Sequence, residues 1–135
     1  MEFAISCDSL TEAGIVSSTI KKELKSRGVD RSIVRRVAIA AYESEINVVI
    51  HSHGGSATVV LDNDYLEITF KDEGPGIPSI KDALTHGFST ASQYARENGF
   101  GAGMGLPNIK ASADDFDIQS SPEGTILKIG FNLCK

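Results

Sequence analysis

Cysteine is scarce in this sequence. Only Cys7 and Cys134 occur in 135 residues. Both sit in apolar runs near the chain ends, with no CxxC and no histidine at metal-ligand spacing. A disulfide framework and a cysteine-based metal site are therefore not expected, and both thiols read as small buried hydrophobes in terminal strands. Long apolar runs are also missing. None approaches the roughly 20 residues of a membrane span. The start, Met1-Glu2-Phe3-Ala4-Ile5, lacks the basic segment and apolar core of a signal peptide. The expected location is the cytoplasm, with no membrane partner. Positive charge is in deficit, at thirteen lysines and arginines against eighteen acidic residues, a net charge of −5. This balance argues against a general DNA- or RNA-binding module, but not against one nucleotide held by backbone N–H groups. What is present is an ordinary soluble composition, 41% hydrophobic and 23% charged, too apolar for a disordered chain. The length suits one domain, residues 1–135, burying roughly two-thirds of its unfolded surface.

The pattern alternates between strand and helix periods. Phe3, Ile5 and Cys7 predict a short first strand. A helix follows, with Ser9 and Glu12 as a capping box. Its stripe is Ile15, Ile20 and Leu24, and Gly28 ends it. Lys21, Lys22, Lys25 and Arg27 load its C-terminal half, where the dipole favours cations. They read as a solvated face, with a partner surface as the alternative. Asp30 caps a second helix that runs to about Ser52. Val34, Val37, Ala38, Ala41, Val48 and Val49 fill one side of it. Ile39, Tyr42, Ile46 and Ile50 carry the apolar surface round most of the circumference, the signature of a buried helix. Ala57 to Leu61 and Leu66 to Phe70 alternate about the turn Asp62-Asn63-Asp64, a hairpin signal. Ser79 to Asn98 is irregular and polar, a candidate lid. Leu106, Ile109, Ala113 and Phe116 predict a helix giving way to a strand near Ile118. Pro122-Glu123-Gly124 turns into a last alternating strand.

Three stretches carry the chemistry. On the second helix, Glu43, Asn47 and His51 recur at i, i+4 and i+8, with Arg36 on the same side. Burying a carboxylate and an amide without partners is costly, so this stripe faces either a ligand or solvent. Asp72-Glu73-Gly74-Pro75-Gly76 puts a carboxylate at a strand end before a tight turn. Such a carboxylate can accept from an exocyclic amine while the glycines admit a flat base; a plain β-turn stiffened by proline is the alternative, and taken alone the element favours it. Gly99, Gly101, Gly103 and Gly105 recur at every second position and open a helix. That pattern suits a backbone that approaches phosphate closely. No GxxxxGK[ST] P-loop occurs, and the glycine spacing does not match a dinucleotide fingerprint.

In this order the elements resemble the GHKL ATPase superfamily. Glu43-Ser44-Glu45-Ile46-Asn47 is similar to its N-box, Asp72 to Gly76 to its DxGxG box, Gly101 to Leu106 to its GxGxGL box, and Gly124-Thr125 to its final element. Asp72 to Pro78, Gly87-Phe88-Ser89-Thr90, Gly105-Leu106-Pro107 and Asp115-Phe116 resemble the anti-sigma-factor serine/threonine kinases, in the switch-kinase branch that acts on STAS-domain proteins. The stretch Ala91 to Gly99 is longer and more polar than the lid of that family. The resemblance implies an α+β fold, a two-layer sandwich with helices on one face of a mixed, mostly antiparallel sheet. It implies ATP and Mg²⁺ as cofactors. Asp72, with Thr125 in support, would bind the adenine amino group beside Gly74 and Gly76. Asn47 would hold Mg²⁺. Gly101, Gly103, Gly105 and Leu106 would form the phosphate-binding turn. Glu43 would act as general base on a serine or threonine hydroxyl.

A serine/threonine kinase phosphorylating a STAS-domain protein is the leading expectation. A nucleotide-gated module that sequesters a sigma factor or a PP2C-type phosphatase is an alternative, and a simple ATPase is another. Lys110 and Arg96 read as solvated charges ahead of phosphate ligands, and His51 as structural. Glu45, Glu73 and His86 carry no assignment. Apolar residues exposed on the first helix would be a first hint of a homodimer face.

Overall fold

The computed structural model describes residues 1–5, 14–51, 54–73 and 105–134. These form strand β1 (Glu2–Ile5), helices α1 (Ile15–Ser26) and α2 (Arg31–His51), strands β2 (Gly55–Leu61) and β3 (Tyr65–Asp72), helix α3 (Gly105–Ser112), and strands β4 (Asp115–Ser121) and β5 (Gly124–Asn132). The strands make one sheet in the order β1-β2-β3-β5-β4. All four ladders are antiparallel, so the expected mixed sheet has no parallel pair among the described residues.

Alternation decides which face of the sheet is covered. Ala57, Val59, Leu66, Ile68, Phe70, Leu127, Ile129 and Phe131 point inward and are buried. They join Val16, Ile20 and Leu24 of α1, Val34, Val37 and Val48 of α2, and Leu106 and Ile109 of α3 in one core. Thr58, Val60, Lys71, Ile126 and Lys128 alternate with them and are exposed. The result is the expected α+β sandwich.

Local chemistry explains most element ends. Gly28, at φ 73, closes α1. Its N–H donates to Lys25 O and that of Val29 to Leu24 O, while Val29 packs on the core, a Schellman stop. Asp30 Oδ1 accepts from Ser32 N–H at 2.9 Å and caps α2. Asp62 Oδ1 accepts from the N–H groups of Asp64 and Tyr65 at the hairpin tip. The start of α1 differs from expectation. Helix α1 begins at Ile15 with Gly14 at its cap and no side-chain cap of its own. Ser9 and Glu12 lie outside the described residues.

Two expectations of burial fail. Cys134 is exposed. It stands beyond the end of β5, where its thiol donates to Asp64 Oδ1 at 3.0 Å. That hydrogen bond and the Asp64 charge push the thiol pKa up. Cys7 lies outside the described residues. Helix α2 is not covered all round either: Ile39 is 41% and Tyr42 36% exposed. Ile46 falls on the same stripe at helical spacing and is buried as expected, so the stripe is open at Ile39 and Tyr42 and covered at Ile46.

Gly55 marks a tight strand contact. A Cβ there would collide with Lys71 O and stand 2.8 Å from Asp72 Cα. Gly55→Ala should lower unfolding free energy by about 1–3 kcal/mol, the usual cost of overpacking. A shift of the urea midpoint measures it, and an unchanged midpoint would show that β2 and β3 separate there at no cost.

Candidate functional site

The register fixes two ends of the sheet. Lys71 pairs with Ile126, and Tyr65 with Asn132. Asp72 and Thr125 therefore share one end. Tyr65, Asp114 and Asp115 share the other, where Asp115 pairs with Gly130. Helix α2 ends on the Asp72 side. Three residues after His51, the Gly54 carbonyl accepts from Glu73 N–H at 3.0 Å. That hydrogen bond ties the exit of α2 to the exit of β3. The turns of α2 that carry Glu43 and Asn47 thus lie at the same end as Asp72.

Helix α3 completes this side. At its C-terminus the Ser112 carbonyl accepts from Arg36 Nη1 at 3.0 Å, and the same nitrogen reaches Asp114 Oδ1 at 3.2 Å. Eight helical residues span about 12 Å. From Arg36 back to Arg31, α2 offers only about 7.5 Å of helix. Helix α3 packs along α2, so it runs from the Asp72 end toward Arg36. This brings Gly105, its first residue, to the Glu43–Asn47 end, with Leu106 buried beneath it. Arg36 shares the Glu43–Asn47 stripe in sequence but serves as a clamp at the opposite end.

The carboxylates at the site end are held in contrasting ways. Asp72 is half-buried, and its Oδ1 accepts from Thr125 N–H at 2.9 Å. Burial raises its pKa, and the Thr125 hydrogen bond opposes that rise. No hydrogen bond from a described residue engages Oδ2. Thr125 is itself buried, and its hydroxyl pairs with Ser120 Oγ at 2.8 Å. Glu43 is half-buried, and desolvation raises its pKa. Asn47 is likewise half-buried, one helical turn on. Among the described residues no group of three or more histidine, cysteine or acidic side chains is placed to hold a metal. A cation here would rely on Asn47 and on oxygens brought by a ligand.

The structure thus brings together Glu43, Asn47, Asp72, Gly105, Leu106 and Thr125 at one end of the sandwich. Gly74, Gly76, Gly101 and Gly103 lie outside the described residues, as do Arg96 and the expected lid. Lys110 is exposed.

The linear order of these elements has a counterpart among known proteins. Residues 8–131 match the histidine kinase-like ATPase domain family. The chain belongs to that family. It is 32% identical over 129 residues to the serine/threonine-protein kinase RsbT of Bacillus subtilis, covering 88% of this chain and 89% of the relative. It is 32% identical over 100 residues to the anti-sigma F factor of Bacillus licheniformis, covering 69% of this chain and 65% of that protein. The crystal structure of the RsbU and RsbW domains of Rv1364c from Mycobacterium tuberculosis matches the fold. Its TM-score is 0.68 at 17% identity, over 100% of this chain and 32% of that one.

In this histidine kinase-like ATPase domain one residue escaped the sequence reading. Glu45, two positions from Glu43, is 4% exposed. Its Oε1 accepts from Val16 N–H at 3.2 Å. Val16 is the second residue of α1, so Glu45 supplies from α2 the cap that Gly14 cannot. The signal was present: Glu45 falls between Ala41 and Val48 at helical spacing, on the core face and away from Glu43. Glu45→Ala leaves the Val16 donor unpaired. It should cost about 1–2 kcal/mol of stability, while Glu45→Gln, which keeps an acceptor oxygen, should cost less. Equal urea midpoints for the two variants would show that the cap contributes nothing.

Proposed function

We propose that the chain is an ATP-dependent serine/threonine protein kinase whose substrate is a STAS-domain regulatory protein. The observation that carries this reading is a half-buried carboxylate, Glu43, one helical turn from Asn47 at the sheet end that holds Asp72. Nucleotide binding alone needs no such base. Similarity over 89% of the kinase RsbT supports the same reaction class.

The residues fit ATP with Mg²⁺. Asp72 offers Oδ2 to the adenine amino group while Thr125 N–H steadies Oδ1. Asn47 presents a neutral hard oxygen, suited to a cation that keeps few protein ligands. Bound Mg²⁺ would neutralise charge between the phosphates. Gly101, Gly103 and Gly105 would offer backbone donors to the phosphates at the start of α3, with Leu106 anchoring that turn. Glu43 would take the proton of the acceptor hydroxyl as its oxygen bonds to the γ-phosphorus and ADP leaves.

The deciding experiment is transfer of labelled γ-phosphate from Mg-ATP to STAS-domain proteins of the same organism. The expected result is label on a serine or threonine of one of them. Bound nucleotide without any labelled protein would favour a second reading, a nucleotide-gated module that sequesters a sigma factor or a PP2C-type phosphatase. The similarity to an anti-sigma F factor supports that alternative.

A further inference from the structure

Basic residues are concentrated in one part of this chain. Residues 21–36 hold seven of the thirteen lysines and arginines and two of the eighteen acidic residues. A chain of net charge −5 thus carries +5 in one short stretch. Arg27 pairs with Glu23 and Arg36 with Asp114. Lys22, Lys25, Arg31 and Arg35 are exposed, and no salt bridge among the described residues neutralises them.

Among the described helical residues the exposed large apolar ones are Ile15, Ile39 and Tyr42. Along α2 the exposed positions Arg31, Arg35, Ile39 and Tyr42 follow helical spacing and form one stripe. It is basic at its start and apolar at its end. Helix α1 carries the reverse order, with Ile15 first and Lys22 and Lys25 after it. The two helices lie side by side. A methyl placed on Gly14 would stand 3.4 Å from Tyr42 Cε1, so the apolar ends coincide. The short turn from Arg27 to Asp30 joins the basic ends. The hairpin therefore presents one outward strip, about 16 Å from Arg31 to Tyr42. Its apolar end adjoins the turn of α2 that carries Glu43.

We propose that this strip docks an acidic protein partner, whose carboxylates meet Lys25 and Arg35 and whose apolar contact meets Ile39 and Tyr42. Segregation along the strip separates this occupant from a lipid surface. Interfacial helices carry apolar residues along their whole length with basic residues beside them, whereas here the two kinds occupy opposite ends. A second copy fits poorly. Two such strips related by a two-fold axis set basic ends against basic or apolar ends, with no carboxylate to meet them. The proposal does not depend on the kinase reading.

Two synthetic helical peptides test it with the full chain. One carries glutamates in its first half and leucine and phenylalanine in its second, and the other has lysine for each glutamate. The glutamate peptide should bind about tenfold tighter or more, and more weakly as salt rises. Its amide shifts should map to Ile15, Lys25, Arg35, Ile39 and Tyr42. The double variant K25E/R35E should weaken it at least about tenfold, while K128E on the open sheet face leaves it unchanged. Equal binding of the two peptides overturns the proposal, as does indifference to K25E/R35E. Tighter binding to phosphatidylserine vesicles than to the peptide assigns the strip to a membrane instead. Concentration-dependent dimerisation abolished by the same variant assigns it to a second copy.

Discussion

Replacing Glu43 with glutamine should lower phosphoryl transfer about 10²–10⁴-fold, the usual contribution of a general base. Nucleotide affinity should stay unchanged. Glutamine keeps the shape and the polar contacts of the side chain but cannot take up the hydroxyl proton. The readout is single-turnover transfer beside a nucleotide titration. Loss of binding in the same proportion as loss of transfer would remove Glu43 from the role of base. The pH profile gives an independent check. The base acts only when ionised, and burial pushes its carboxyl above the ordinary glutamate range. Activity should therefore rise with pH through that raised value and fail at a higher pH than an exposed glutamate would allow. In Glu43→Gln this acid limb should disappear.

The second large effect is expected at Asp72. Asp72→Asn can keep an oxygen toward Thr125 N–H and so spare the strand end. The other position then bears an amide N–H where the adenine amino group needs an acceptor. Two donors face each other, and leaving a buried polar group unsatisfied costs about 1–3 kcal/mol. ATP affinity should fall roughly 10–100-fold, with the unfolding midpoint little changed. Asp72→Ala should weaken binding similarly and also destabilise the protein, because Thr125 N–H loses its acceptor. Isothermal titration and urea unfolding of the two variants separate these contributions. Unchanged affinity in Asp72→Asn would remove the residue from the adenine site.

These two residues were legible in the sequence for different reasons. Glu43 and Asn47 stood out by helical spacing, and Asp72 by its place at the end of an alternating run before a glycine turn. What spacing alone did not give was which stripe of α2 the rest of the molecule covers. Ile39 and Tyr42 read as core because apolar residues occurred on nearly every side. They are uncovered while Ile46, one turn on along the same stripe, is buried, a difference along the axis that periodicity does not carry. Glu45 shows the converse, a charge on the buried face that is satisfied by a donor 29 positions earlier. Pairing over that distance has no local signature. Arg36 lies on the expected stripe but reaches Ser112 and Asp114, because periodicity fixes angle and not the neighbour met along the axis. Cys134 lay in an apolar run, but the alternation that buries Phe131 and Leu133 turns it outward beside Asp64. The strand order came from the ladders alone, whereas the meeting of Asp72 and Thr125 was implied by the family resemblance and by no spacing in the chain.

The hydrogen bond from Thr125 to Asp72 uses a main-chain donor. Nineteen of the twenty amino acids would supply the same N–H, and only proline would withdraw it. The aspartate is thus oriented by a feature that leaves almost no trace in residue identity. Comparing side chains among relatives would pass over it. If Asp72 meets adenine as proposed, a designer seeking to weaken that contact without replacing the aspartate has one substitution at position 125 to choose.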